Sequence, residues 1–192
     1  LEMAVTTAVA FLFAIALFVI LPLWLTKLTA VEGFIFNLID GVIRIAIFLT
    51  YLYAISLMSE VKTLFRYHGA EHMAVNCFEA GKKVTVANAK KYTTVHRRCG
   101  TTFLLIVLMV SIVVFSLILT DDFWIKLAGR IILLPVIAGI SYELLKLGAK
   151  HDNFAINALV APGLWLQGLT TRKPTDKQLE VACKALNAVT KS

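Results

Sequence analysis

The sequence predicts an all-α integral membrane protein: a single domain, a helical bundle of four transmembrane helices, with a re-entrant or interfacial segment and amphipathic cytoplasmic helices. Three observations predict it. Of the 192 residues, 59% are apolar and only 16% charged, whereas a soluble domain carries about a quarter charged residues. Residues 3–25 contain no charge, and about 23 residues at 1.5 Å rise cross a hydrocarbon core of roughly 30 Å. The basic residues are also sorted along the chain. Eight fall in residues 59–101 and seven from Lys146 onward, against only Lys27, Lys126 and Arg130 in the other two loops. So apolar a chain can bury enough surface to order itself, which excludes disorder. Its formal charge of +7 reads as cytoplasmic membrane faces rather than nucleic-acid binding.

The elements follow in order. The first span, 3–25, is too long and lacks the small-residue cleavage site of a removed signal peptide. The chain opens Leu1-Glu2 rather than with Met, which reads as a missing upstream segment or a cloning scar. The second span, 34–58, carries Asp40 and Arg44 at i,i+4, so the two can pair on one face and offset the cost of entering lipid. That pair is either a structural clasp or part of an ion or proton path. The third span covers 102–120 and the fourth 131–148, separated by Asp121-Asp122 and a Lys126/Arg130 turn. Residues 154–169 are apolar but only about 16 long, interrupted by Pro162-Gly163 and flanked by bases at both ends, which suits a re-entrant or interfacial segment. Over 176–189, Leu179, Ala182, Cys183, Leu186 and Val189 keep a helical period behind Thr175-Asp176 as N-cap. This is an amphipathic cytoplasmic helix packing over the middle loop. By the positive-inside rule both termini and the loop 59–101 are cytoplasmic. There is no internal repeat, and three cysteines are too few for a disulfide framework.

The chemistry lies in that loop. Phe65-Arg66-Tyr67-His68-Gly69-Ala70-Glu71-His72 places His68 and His72 one helical turn apart, where both imidazoles can grip one metal ion. Glu71 stands beside them as a general base for a metal-activated water. The order H-x-x-E-H is the inverted zincin pattern. A third ligand is needed. Glu143 is the only acid within the fourth span, with Lys146 at i+3 as a local partner. His96 and Cys99, in His96-Arg97-Arg98-Cys99-Gly100, are further candidate ligands, since an H-x-x-C turn supplies nitrogen and sulfur. Two arrangements stay open: a catalytic site of His68, His72 and Glu143 with a position left for water, and a closed structural site of His68, His72, His96 and Cys99. Arg66, Arg97 and Arg98 can contact an anion or lipid headgroup. For His68 to reach the depth of Glu143 the chain has to bend, and Ser59-Glu60 is the expected hinge.

Four strings in order, Arg66-Tyr67-His68-Gly69-Ala70-Glu71-His72, His96-Arg97-Arg98-Cys99-Gly100-Thr101, Gly139-Ile140-Ser141-Tyr142-Glu143 and Gly163-Leu164-Trp165-Leu166-Gln167-Gly168-Leu169-Thr170-Thr171, resemble the YqhQ-like family of bacterial integral membrane proteins. The resemblance covers nearly the whole chain. It implies a multi-pass protein of the bacterial inner membrane, at most a predicted metal-dependent enzyme, with His68, Glu71, His72, His96, Cys99 and Glu143 at the motif positions. Family members often carry proline where this chain has Arg97, and typically an additional N-terminal region.

The expected function is therefore a membrane-embedded zinc hydrolase, most readily peptidase-like, acting on a peptide or a lipid headgroup at the cytoplasmic boundary. The partners are the lipid bilayer and that substrate, with no nucleic acid; self-association into a homo-oligomer stays open. The rival readings are a non-catalytic protein with a structural metal, and a small transporter or channel using Asp40, Arg44 and Glu143.

Overall fold

A computed structural model describes residues 2–118, 120 and 122–190, and among these every regular element is a helix. The chain divides into two compact units, one of residues 1–51 and 104–144, the other of 52–103 and 145–192.

In the first unit, α1 (Glu2–Ile15), a π-helical turn (Ala16–Ile20) and α2 (Leu21–Lys27) form one continuous run of 26 residues. The π turn lies just ahead of Pro22. Proline has no N–H and its ring crowds the carbonyl four residues back, and here the Leu21 N–H bonds to the Ala16 carbonyl, five residues back, which widens that turn. Helix α3 (Gly33–Ser56) follows a tight connection in which Ala30 and Gly33 have positive φ. The fourth expected span begins eight residues before its predicted start, as α7 (Phe123–Lys150). Asp122 caps it, its Oδ1 accepting the Ile125 N–H at 2.9 Å. Lys126 and Arg130, expected in a turn, are thus helical and buried. Their burial is explained by what they meet. Arg130 Nη1 donates to Asp40 Oδ1 at 2.7 Å, Arg44 Nη2 donates to Asp40 Oδ2 at 2.7 Å, and Arg44 Nη1 donates to Ser111 Oγ at 3.0 Å. Both guanidinium groups lie over the Phe115 ring, and the Lys126 ammonium lies 3.8 Å from the centroid of Phe36.

Among the described residues, three helical runs are long and apolar enough to cross a membrane: Glu2–Lys27, Gly33–Ser56 and Phe123–Lys150. The expected third span is shorter than the hydropathy suggested. Helix α6 (Gly100–Phe115) has 16 residues, about 24 Å at 1.5 Å each, and closes through tight turns from the Leu117 and Ile118 N–H groups to the Val114 and Phe115 carbonyls. Residues 119 and 121, which the predicted span and turn included, lie outside the described residues. The segment expected to be broken at Pro162-Gly163 is instead one helix, α8 (Phe154–Thr170), 17 residues long. Pro162 sits inside it, and Gly163 lets it meet Thr102 so closely that a Cβ would overlap the Thr102 backbone.

The second unit is built on α4 (Ser59–Glu79). The chain leaves α3 at Ser56 and re-enters a helix at Ser59, with Met58 extended at φ −70°, ψ 141°, so the break falls just before the hinge read from sequence. Gly81, at φ +68°, ends α4: its N–H bonds to Phe78 and that of Lys82 to Cys77, the paired closure that a left-handed residue permits. A short α5 (Val86–Ala89) follows. Helix α9 (Asp176–Thr190) starts on a reciprocal cap in which Gln178 Oε1 accepts the Thr175 N–H at 2.9 Å and Thr175 Oγ1 accepts the Gln178 N–H at 3.4 Å. It lays Leu179 and Cys183 onto Ala70, Met73, Ala74 and Cys77 of α4, with Val84 and Ala89 completing the core. Full burial of a side chain such as Leu179 stabilises by about 1.5–3 kcal/mol, so α9 holds α4 in place.

Candidate metal centre

His68 and His72 stand one turn apart on α4, their rings 4.4 Å between centroids. Gly69 lies between them because two other segments come close there: a Cβ at this position would overlap the Arg172 carbonyl oxygen and meet Thr94 Cγ2 at 3.2 Å. The chain after α8 runs against α4, with the Arg172 N–H bonding to the Phe65 carbonyl at 2.9 Å. The two segments each bring a main-chain carbonyl to one imidazole. His68 Nδ1 lies 2.8 Å from the Thr170 oxygen and His72 Nδ1 lies 2.6 Å from the Thr94 oxygen. A carbonyl only accepts, so each Nδ1 carries a proton, and in the neutral imidazole each Nε2 keeps its lone pair for a metal. This is the arrangement in which an outer hydrogen bond orients a metal-binding imidazole.

Cys99 comes from a different stretch of chain. Gln167, fully buried on α8, clamps the main chain of His96: its Oε1 accepts the His96 N–H at 2.9 Å, and its Nε2 donates to the His96 carbonyl and to Thr102 Oγ1, each at 2.8 Å. The turn that follows delivers Cys99 Sγ to 3.2 Å from His68 Nε2. Sγ in turn accepts the Thr101 N–H at 3.3 Å. Among the described residues, His68, His72 and Cys99 bring their ligand atoms within 4.8 Å of one another. Tetrahedral zinc with Zn–S of about 2.3 Å and Zn–N of about 2.05 Å spaces sulfur and nitrogen by ~3.6 Å, so small adjustments would accommodate the ion.

The electrostatics suit a thiolate ligand. Burial, the largest single influence on Cys99, pushes its thiol up, but hydrogen bonds with His68, His72 and Thr101 together outweigh it and bring the thiol from its ordinary 9.0 down to about 5. His68 is raised above its usual value, chiefly by its hydrogen bond with Cys99, against burial and with help from the Thr170 carbonyl and the charges of Cys99 and Glu71. Both shifts favour the charged forms of the two groups, and a bound metal would compete with the proton between them.

The other residues singled out by sequence are distributed as follows. Glu71 is exposed on α4 and lines, with His68, a groove of about 750 Å³. His96 lies next to the trio, its ring 5.7 Å from that of His72, but its Nε2 faces Glu79 at 3.2 Å and its Nδ1 accepts the Arg98 N–H. Arg98 also pairs with Glu79. Arg97 is tied to the end of α7 and the start of α8, through the Gly148 and His151 carbonyls, Asp152 and Asn157. Arg66 is exposed on α4. Glu143 lies on α7 in the first unit and is not one of the three grouped ligands. Asp40 and Arg44 belong to the arginine cluster of that same unit. Sequence reasoning missed Thr94, Thr170 and Gln167, of which the first two act through main-chain oxygen; Gln167 and Thr170 do fall within the Gly163–Thr171 string quoted above.

Comparison with known proteins supports the likeness at the level of the family. The chain is similar to an uncharacterized protein, YqhQ, of Bacillus subtilis (strain 168), with 38% identity over 194 residues, covering 97% of this chain and 60% of the relative. It thus spans about 60% of that relative's length. No solved structure matches. A family model described as a protein of unknown function (DUF1385) matches residues 1–192, and the chain belongs to that family.

Proposed function

We propose that the chain is a membrane-embedded zinc hydrolase whose metal is held by His68, His72 and Cys99, with Glu71 as general base. The observation that carries the reading is the pair of Nδ1–carbonyl hydrogen bonds, from His68 to Thr170 and from His72 to Thr94, which present two Nε2 atoms to the sulfur of Cys99. Three protein ligands leave a fourth position open, as catalytic zinc sites do. Bound zinc supplies a Lewis acid and lowers the pKa of water toward neutrality. The chain's own contribution is Glu71, a carboxylate in the groove beside His68, which takes the proton from water and returns it to the leaving group. The bond cleaved is an amide or ester, of a peptide or a lipid. Three apolar helices and the sorting of basic residues support a multi-pass protein of a bacterial cell membrane, with both termini and the metal centre on the cytoplasmic side.

Two rivals carry less support. A closed structural site would need His96 as a fourth ligand, and both of its ring nitrogens have protein partners. A transport path through Asp40 and Arg44 would need the pair free to exchange partners, and Asp40 is held by two arginines.

Elemental analysis of the detergent-purified chain tests the ligand set. The wild type is expected to hold about one zinc per chain. His68→Ala, His72→Ala and Cys99→Ser each lose most of it, while His96→Gln and Glu143→Gln keep it. Loss in Glu143→Gln with retention in Cys99→Ser would exchange the third ligand. Equal metal in the wild type and His72→Ala would remove the centre altogether.

A further inference from the structure

The groove beside the candidate metal centre has a composition that the hydrolase reading does not use. It holds about 750 Å³, within the range of pockets that enclose small molecules. Its walls come from α4, α9 and the first residues of α6. Leu64, Val75, Val181, Ala185, Leu186 and Val189 supply most of the lining, while Tyr67, His68, Glu71 and Thr101 are its polar side chains. The carboxylate of Glu71 and the imidazole of His68 therefore look onto a mainly apolar cavity, in which Tyr67 and Thr101 are the other polar side chains.

Three features narrow the occupant. The long walls are helices, whose main-chain N–H and C=O groups are paired along their own axes. An extended peptide needs a strand edge or polar side chains for its own main chain, and peptide groups entering this cavity would go unpaired. A hydrocarbon tail carries no such groups. Glu71 in turn opposes a negative headgroup at the reacting end, since like charges repel. Finally, Leu64 is 62%, Val181 52% and Val189 71% exposed, so the groove is bordered by apolar side chains open to whatever surrounds the protein. In a chain whose described residues include three apolar helices long enough to cross a bilayer, lipid is the source of tails.

We infer that the groove between α4 and α9 binds the acyl chain of a neutral long-chain amide or ester, with its carbonyl group at His68 and Glu71. The chemistry of this inference rests on the metallohydrolase reading. In it water adds to the acyl carbon, the C–N or C–O bond breaks, and the fatty acid and a neutral amine or alcohol leave, the proton of water passing through Glu71 to the leaving atom. Binding of the tail does not depend on that step and is tested separately.

The test uses the full chain in phosphatidylcholine nanodiscs with a photoactivatable diazirine-bearing palmitoyl amide, reading labelled positions by mass spectrometry and zinc content in parallel. Ala185→Trp fills the groove from an exposed position of α9, so folding and metal are retained; Ala185→Ser is the control. Labelling of α4 and α9 in the wild type is expected to fall by about tenfold in Ala185→Trp, as a filled cavity excludes its ligand, and to persist in Ala185→Ser and Cys99→Ser. Groove labelling in a protein that holds no zinc would uphold the tail site while removing the hydrolase. Labelling that is spread over all apolar helices, or unchanged by Ala185→Trp at full zinc content, overturns the inference. So does displacement of the probe by an uncharged decapeptide but not by unlabelled palmitoyl amide.

Discussion

Substituting Gly69 with alanine tests whether the two imidazoles are held by their main-chain partners. The added Cβ would overlap the Arg172 carbonyl oxygen and lie 3.2 Å from Thr94 Cγ2. Both obstacles belong to segments that hold a histidine, because Thr170 lies two residues before Arg172 and Thr94 itself accepts from His72. Relieving the overlap moves these segments off α4 by about 1 Å, and the 2.9 Å bond from the Arg172 N–H to Phe65 then stretches past the range of a hydrogen bond. Alanine gains ~1 kcal/mol of helix propensity over glycine. Overpacking costs about 1–3 kcal/mol and the lost bond about 1 kcal/mol, so the net is a destabilisation of about 1–3 kcal/mol. The metal suffers more than the fold, because loosening the outer partners of ligating histidines typically costs 10–100-fold in affinity. Thermal unfolding and zinc competition with a chelator read the two effects. Gly168→Ala is the control, since nothing lies within 4 Å of a Cβ there. Wild-type zinc affinity in Gly69→Ala, alongside lowered stability, would show that the Thr94 and Thr170 carbonyls do not orient the ligands.

The thiol of Cys99 is expected to ionise near pH 5 in metal-free protein, seen as thiolate absorbance, and to titrate higher in His68→Ala; a midpoint near 9 in the wild type refutes the thiolate. Its lowered value contributes stability that is complete above about pH 9, shrinks as the pH falls and is gone below about 5. The raised value of His68 has the opposite sign, contributing below its ordinary 6.5 and fading as the pH rises through the raised value. Asp40→Ala leaves two buried guanidinium groups without their shared carboxylate and should cost about 3–5 kcal/mol, read as a lower Tm in detergent; an unchanged Tm would mean the cluster is not a clasp. Thr175→Ala removes the hydroxyl of the α9 cap and should cost about 1 kcal/mol, with faster amide exchange confined to the first turns of α9; uniform exchange across the chain would contradict a local cap.

The fold was legible where one physical signal dominates. A long uncharged run has no alternative to a helix in lipid, which is why residues 3–25, inside the first helical run, stand out in the sequence. The end of α6 was not legible, because apolar residues continue past Phe115 and hydropathy carries no stop signal there. Lys126 and Arg130 misled for the opposite reason. Two bases in five residues read as a loop, and only a carboxylate 90 positions earlier, Asp40, accounts for the burial of Arg130. Pairing between distant charges is invisible to a window that slides along one segment. Pro162 likewise read as a break, whereas α8 carries it through and places Gly163 against Thr102.

The site divides along the same line. His68 and His72 are legible because a helix converts a spacing of four into a shared face, a local rule that needs no tertiary structure. Cys99, 27 positions beyond His72, could be offered only as a further candidate, since nothing in its own turn says where that turn is delivered. What delivers it is Gln167, whose one amide satisfies both the N–H and the C=O of His96 and the hydroxyl of Thr102. A buried amide with all its bonds made to fixed partners specifies position more sharply than apolar packing does, since any displacement leaves polar atoms unpaired. Removing the side-chain amide with Gln167→Leu should therefore release the His96–Cys99 turn and weaken zinc binding while leaving both imidazoles on α4 and their carbonyl partners in place. The expected product is a two-histidine site with much lower affinity. Unchanged affinity in Gln167→Leu would mean that Cys99 is positioned by its own contacts with His68 and Thr101 alone.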